Sequence, residues 1–208
     1  MFTSVFSVPI NLPFWYQPCG SKIEPDNYNL NNIEHEIKSS LNRMKLQHGI
    51  ALGSFKKGNY ENNYDKAGNH IARKQYIPHW IPNEHDISLI KQLEGKTLRT
   101  VADHLPGLHT DLQKFSIAIE EMINDENDLS KKNALERTLM FLQSYLCEVE
   151  TTIVNLSFLN IPERISRNIM VQKERDPEDY TRRLVRDWGI LIKYKEHLIA
   201  WKKVLDSH

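Results

Sequence analysis

The sequence predicts an all-α protein, folded as an up-up-down-down four-helix bundle with two long crossover loops. Apolar residues recur three and four apart along four long segments, the mark of one buried stripe on a helix. No stretch shows the strict alternation of a half-buried strand. The joins between the four segments are long, short and long. A short join makes antiparallel neighbours, whereas a long one can run the length of a bundle and start the next helix at the same end. An up-down bundle with inserted loops is the competing architecture.

The first helix is expected over about 29–47, where Leu30, Ile33, Ile37, Leu41 and Met44 form the stripe and Gly49 supplies a stop. Residues 1–28 precede it as an N-terminal arm or degenerate signal segment, and 29–208 make up the bundle. Residues 49–84 lack the period. The Gly-, Asn- and Lys-rich part reads as a loop. "QYIPHWIP" carries Tyr76, Ile77, Trp80 and Ile81 between prolines that forbid a regular helix, so it is expected to lie extended with Trp80 packed on the bundle.

The period returns near Asp86, and Leu98, Val101, Leu105, Leu108, Leu112, Phe115, Ile119 and Met122 form an unbroken seam. Pro106 should kink or break it near His104–Leu105, and Gly95 marks an earlier break. Residues 124–133 form the short polar join. A third seam runs from Leu135 through Leu139, Leu142, Leu146, Val149 and Ile153 to Leu156 and ends before Pro162. After a connection over 160–176, Asp176 is expected to cap the last helix, with Pro177 in its first turn and Glu178 and Asp179 at its positive end. Its face is Leu184, Trp188, Leu191, Leu198 and Leu205, widened by Val185, Ile192 and Ile199.

At 40% apolar and 26% charged, a chain of 208 residues buries a real core without metal or disulfide staples. Lys+Arg and Asp+Glu balance at 27 each, which argues against a nucleic-acid partner. No apolar run is long enough to span a bilayer, so no stable membrane insertion is expected. The apolar N-terminus lacks a basic leader region and is broken by Pro9 and Pro13. Cys19 and Cys147 suit one disulfide or two unrelated thiols, and by themselves make no zinc site.

Catalytic constellations are missing. None of the nine histidines follows a Glu by three residues, as carboxylate di-iron bundles require. Gly95-Lys96-Thr97 ends like a phosphate-binding loop, but Ile90 stands where its first Gly belongs. His104 and His109 flank Pro106 and are expected to be exposed or capping residues. His79 and His85 flank Trp80 and are read as surface residues. Asn155-Leu156-Ser157 is a glycosylation triplet by pattern, with Leu156 on the seam. An enzyme, a metal site and a cofactor are therefore not expected.

"DYTRRLVRDWGIL", Asp179 to Leu191, has a local explanation in the i, i+4 pairs Glu178–Arg182 and Asp179–Arg183. It also resembles the start of the last helix in interleukin-6-type cytokines, above all the ciliary neurotrophic factor and cardiotrophin-like members, with the insect Unpaired ligands as another home. There an aromatic, two variable residues and a lysine open the helix, and a Trp follows in a leucine-rich face. Tyr180 stands for the aromatic, Arg183 for the lysine and Trp188 for the Trp. Tyr for Phe, Arg for Lys and the lack of a Pro-rich motif after the first helix are departures.

The resemblance implies a secreted, monomeric ligand without cofactor that joins type I cytokine receptor chains and activates JAK/STAT signalling. Tyr180 and Arg183 would touch the receptor, with Trp80 of the first crossover near the same end. The alternative is a cytoplasmic helical-bundle adaptor or scaffold. A Cys19–Cys147 disulfide favours the extracellular reading and free thiols the cytosolic one.

Overall fold

The computed structural model describes residues 12–24, 33–64, 76–177 and 179–208, without the side chains of residues 62 and 63. Four sequence expectations fall outside these residues: the first part of the arm, Leu30 at the start of the first stripe, the loop over 65–75, and the Glu178–Arg182 pair. Among the described residues all regular structure is helical and no strand occurs.

Helix α1 spans Ile33–Lys57, a short α2 spans Tyr60–Asn63, and α3 spans Glu84–Lys91. Helix α4 spans Leu98–Asp103, α5 Leu105–Asp125 and α6 Leu129–Asn155. A short α7, Gln172–Arg175, precedes α8, Tyr180–Asp206.

Helix α1 does not stop at Gly49. Ala51, Leu52 and Phe55 prolong the buried stripe of Ile37, Leu41, Met44 and His48 by two turns. Burial of that face outweighs the roughly 1 kcal/mol that each of Gly49 and Gly53 costs relative to Ala. Lys56 and Lys57 then suit the negative end, and Asn59 turns the chain at φ 51°.

Asn83 starts α3 through a capping box with Asp86, and Gly95 (φ 71°) ends the segment. The proline break falls at His104, which closes α4 and opens α5, with Pro106 in the first turn of α5 where its missing N–H is harmless. The short join is only residues 126–128, because Asp128 already caps α6 through Lys131 N at 3.0 Å. The long connection after α6 is partly ordered, with a 3-10 turn at Arg167–Ile169 ahead of α7.

The cap of α8 is Asp179 rather than Asp176. The Asp179 carboxylate accepts from Arg182 N at 2.8 Å, while Asp176 closes α7. A turn of helix the sequence did not suggest, α7, ends on Asp176 and so takes up the expected cap.

The long helices meet in consistent directions. Along α1, Arg43 pairs with Glu148 and His48 packs on Tyr145, while Tyr60 just beyond reaches Thr138, so α1 and α6 are antiparallel. Lys45 pairs with Asp206, His48 with the Leu198 carbonyl, and Phe55 packs on Tyr194, so α1 and α8 are antiparallel too. Asp111 approaches His197, Phe115 meets Tyr194 and Asp125 binds Arg186, which sets α5 against α8 in the same sense. The three-residue join and the His109–Glu150 bond do so for α5 and α6.

Outside these helices, the arm from Leu12 onward lies against α6. Cys19 and Cys147 are disulfide-bonded, Gln143 donates to the Pro18 carbonyl, and Trp15 is fully buried.

Candidate functional site

The N-terminal turn of α8 is held on a buried ionic base. Arg186 has no exposed surface. Its guanidinium donates to Asp187 Oδ1 at 2.8 Å, to Asp125 Oδ2 at 2.9 Å, and to the carbonyls of Glu174 and Arg175 at 2.6 and 2.9 Å. One side chain thus ties together the end of α5, the end of α7 and the start of α8. Burial would loosen the proton on Arg186, but the Asp187 and Asp125 carboxylates hold it, and the balance is upward. Burial pushes the Asp187 carboxyl up to about 6 against the pull of Arg186.

Glu174 continues the base into the first connection. Its Oε2 accepts from the Trp80 indole at 3.0 Å and from Val171 N at 3.0 Å. Trp80 is 8% exposed. Its expected packing is seen, but the ring faces inward and offers almost no surface. Trp80, expected as a contact residue near this end, is thus placed as an anchor of the first connection beneath the exposed groups.

On this base stand the exposed groups. Tyr180 is 59% exposed. The Arg183 guanidinium lies 5.1 Å from its ring centre and donates to the Asp125 carbonyl at 3.1 Å. The expected Asp179–Arg183 pair is replaced by Asp179–Arg182 at 3.2 Å, because Asp179 as the cap faces the i+3 residue. Arg182 lies 5.3 Å from the ring of Tyr76, which is 46% exposed with φ 67°, a conformation that costs a non-glycine residue energy. A pocket of about 320 Å³ opens between them, lined by Tyr76, Ile77, His79, Lys173, Pro177 and Arg182 among others.

Two further contacts fix the site. Tyr64 stacks on Trp188 at 5.8 Å with planes 4° apart. Gly189 lets the first connection approach: a Cβ there would come within 2.5 Å of the Ile77 side chain.

The other expected residues lie elsewhere. Cys19 and Cys147 join the arm to α6. His104 is exposed and bonds the Thr100 carbonyl, as a capping residue does. His109 is not exposed. It is fully buried between α5 and α6, 2.8 Å from Glu150 Oε2, with Gln113 on its other nitrogen at 3.1 Å. Because the Gln113 amide donates to Nδ1, the ring is the neutral Nε2–H tautomer, in line with burial lowering its pKa. Burial would raise the Glu150 carboxyl, but hydrogen bonds from Arg164 and His109 hold it down to about 2. His79 and His85 are exposed, and both border a separate pocket of about 360 Å³ with Lys193. Among the described residues, no group of three or more His, Cys, Asp or Glu is placed to hold a metal.

Sequence reasoning missed Arg186, Asp187 and Asp125. The one available signal was that Arg186 falls on the inner side of α8, a turn before Ile190. Chemically, the arrangement presents an aromatic and guanidinium surface on a stiff base, which suits recognition of another protein. No family model matches the chain, and neither a curated protein nor a solved structure matches it.

Proposed function

We propose that this chain is a secreted cytokine-like ligand of the interleukin-6 type, folded as an up-up-down-down four-helix bundle, that binds type I cytokine receptor chains and activates JAK/STAT signalling. The observation that carries the reading is the set of helix directions joined to the exposed Tyr180–Arg183 pair. The antiparallel pairing of α1 and of α5 with both α6 and α8 supports an order of two up, then two down. The long segments after α1 and after α6 serve as the crossovers. The Cys19–Cys147 bond supports an oxidising compartment.

The mechanism is geometric. Rigid helix faces bring receptor chains together, and no residue performs covalent chemistry. Tyr180 supplies broad contact area at small entropic cost, and Arg183, steered by its ring and by the Asp125 carbonyl, supplies directed donors. Trp80 and Arg186 hold that surface in place.

The test is STAT phosphorylation in cells bearing candidate type I receptors. Wild-type protein triggers it, and Tyr180→Ala/Arg183→Ala, still helical by circular dichroism, weakens it at least tenfold. Activity retained by the double variant moves the site away from α8. Silence of the monomeric, helical wild type across a broad receptor panel overturns the ligand reading in favour of an intracellular scaffold.

A further inference from the structure

The chain contains a single Asn-x-Ser/Thr triplet, Asn155-Leu156-Ser157. The fold sets it where a helix gives way to a turn. Asn155 is the last residue of α6, and Leu156 has left the helix at φ −89°, ψ 90°. Leu159 N then closes a turn on the Leu156 carbonyl at 2.8 Å. Continuation of the helical seam through Leu156 would have drawn its neighbours inward. With the backbone extended there, successive side chains point to opposite sides. Leu156 is buried and holds the turn, while Asn155 stays half-exposed and Ser157 exposed.

We propose that Asn155 is the attachment site of an N-linked glycan. The inference rests on the secretory reading above. Transfer forms a bond between Asn155 Nδ2 and the anomeric carbon of the sugar. It breaks that carbon's bond to phosphate in a polyprenyl-diphosphate-linked oligosaccharide. The amide gives up one proton, and the polyprenyl diphosphate leaves. The amide loses one of its two donors, while one N–H and both lone pairs of Oδ1 remain.

The position fits the rest of the molecule. The first turn of α6 lies beside Tyr64, whose ring is 5.2 Å from the Lys131 ammonium and stacks on Trp188 near the start of α8. Asn155 lies at the far end of α6, 27 residues long and therefore about 40 Å from tip to tip. A glycan there projects from the end opposite Tyr180 and Arg183, and leaves that surface free.

The test uses the full chain produced behind a cleavable secretion leader in insect cells. Entry into the secretory route then does not depend on the native N-terminus. Intact mass should show one glycan, and N-glycosidase treatment should remove it and leave Asp at position 155. Asn155→Gln and Ser157→Ala should each abolish the glycan, and Ser157→Thr should retain it. Deglycosylated protein should keep its STAT response within about twofold, because the sugar is remote from the binding face. Secreted, disulfide-bonded protein without sugar at Asn155 overturns the proposal. A glycosylated chain that no receptor answers overturns the receptor reading and leaves the glycan standing.

Discussion

Arg186 answers two carboxylates and two carbonyls from a position with no exposed surface. Removing one partner of such a set leaves the others buried and unpaired. Arg186→Met should lower stability by roughly 3–5 kcal/mol in urea unfolding, and adding Asp187→Asn should recover part of the loss. An equal loss in both variants would mean that the guanidinium matters through packing alone. Gly189 offers a gentler probe. Its missing Cβ makes room for Ile77, so Gly189→Ala should destabilise by about 1–3 kcal/mol. Ile77→Ala in the same chain should relieve the clash, and a cycle of the two variants measures the coupling.

At the scale of elements, the arm over residues 12–24 is clamped to α6 and to residues 164–165 by one covalent bond and several polar ones. Trp15 donates to the Ile165 carbonyl at 2.9 Å, and Arg164 donates back to the Trp15 carbonyl at 3.3 Å. The bridge closes a loop of 128 residues. Its loss in Cys19→Ser/Cys147→Ser should cost up to about 5 kcal/mol by the chain-entropy argument, read as a lower urea midpoint. Unchanged stability would mean that the arm holds by its hydrogen bonds and the Trp15 ring alone.

The elements also show which features were legible in the sequence. The long apolar seams of α5 and α6 were, because burial repeats with the helical period at Leu108, Leu112 and Phe115, or at Leu142, Leu146 and Val149; the face of α8 was read only in part, since Ile199 is exposed and Ile190, Tyr194, Trp201 and Val204 carry burial the pattern did not assign. Helix ends were read less well. Gly49 looks like a stop, yet the stripe beyond it continues, and Asp176 looks like the cap of the last helix but closes α7, the cap being Asp179. At the site, Tyr180 and Arg183 were visible as a local pattern. The Arg186 clamp was not, because its partners come from α5 and α7, and no local spacing encodes that meeting. His109 was misread for the same reason, its partner Glu150 lying 41 residues away.

For the whole molecule, pH acts through buried side chains of opposite sign. His48 sits 2.8 Å from the Leu198 carbonyl, near His197, Lys202, Asp206 and the Tyr145 ring, and burial lowers its pKa to about 4 from 6.5. The unfolded chain therefore binds a proton at this residue between those values while the folded one does not. Stability from a neutral His48 is present above pH 6.5 and drains away as pH falls toward 4, on the order of 3 kcal/mol in all. Asp187, raised to about 6, works the other way: the folded chain takes up its proton first, which favours folding as pH falls through 6. His48→Gln separates the two. The stability difference between wild type and this variant should shift against the wild type between pH 7 and pH 4.5, as measured by urea unfolding. A difference constant over that range would show that His48 does not titrate with folding.

The separation of the two cysteines also bears on how the chain is made. Cys19 leaves the ribosome long before Cys147, and at roughly 5–20 residues per second the interval is on the order of ten seconds. During that interval the thiol has no mate within its own chain, since the protein holds only two cysteines. A disulfide formed at Cys19 in that interval would have to take its second sulfur from another molecule. The bond can close only after α1, α5 and most of α6 have been synthesised, and its closure records that α6 has reached its place beside the arm.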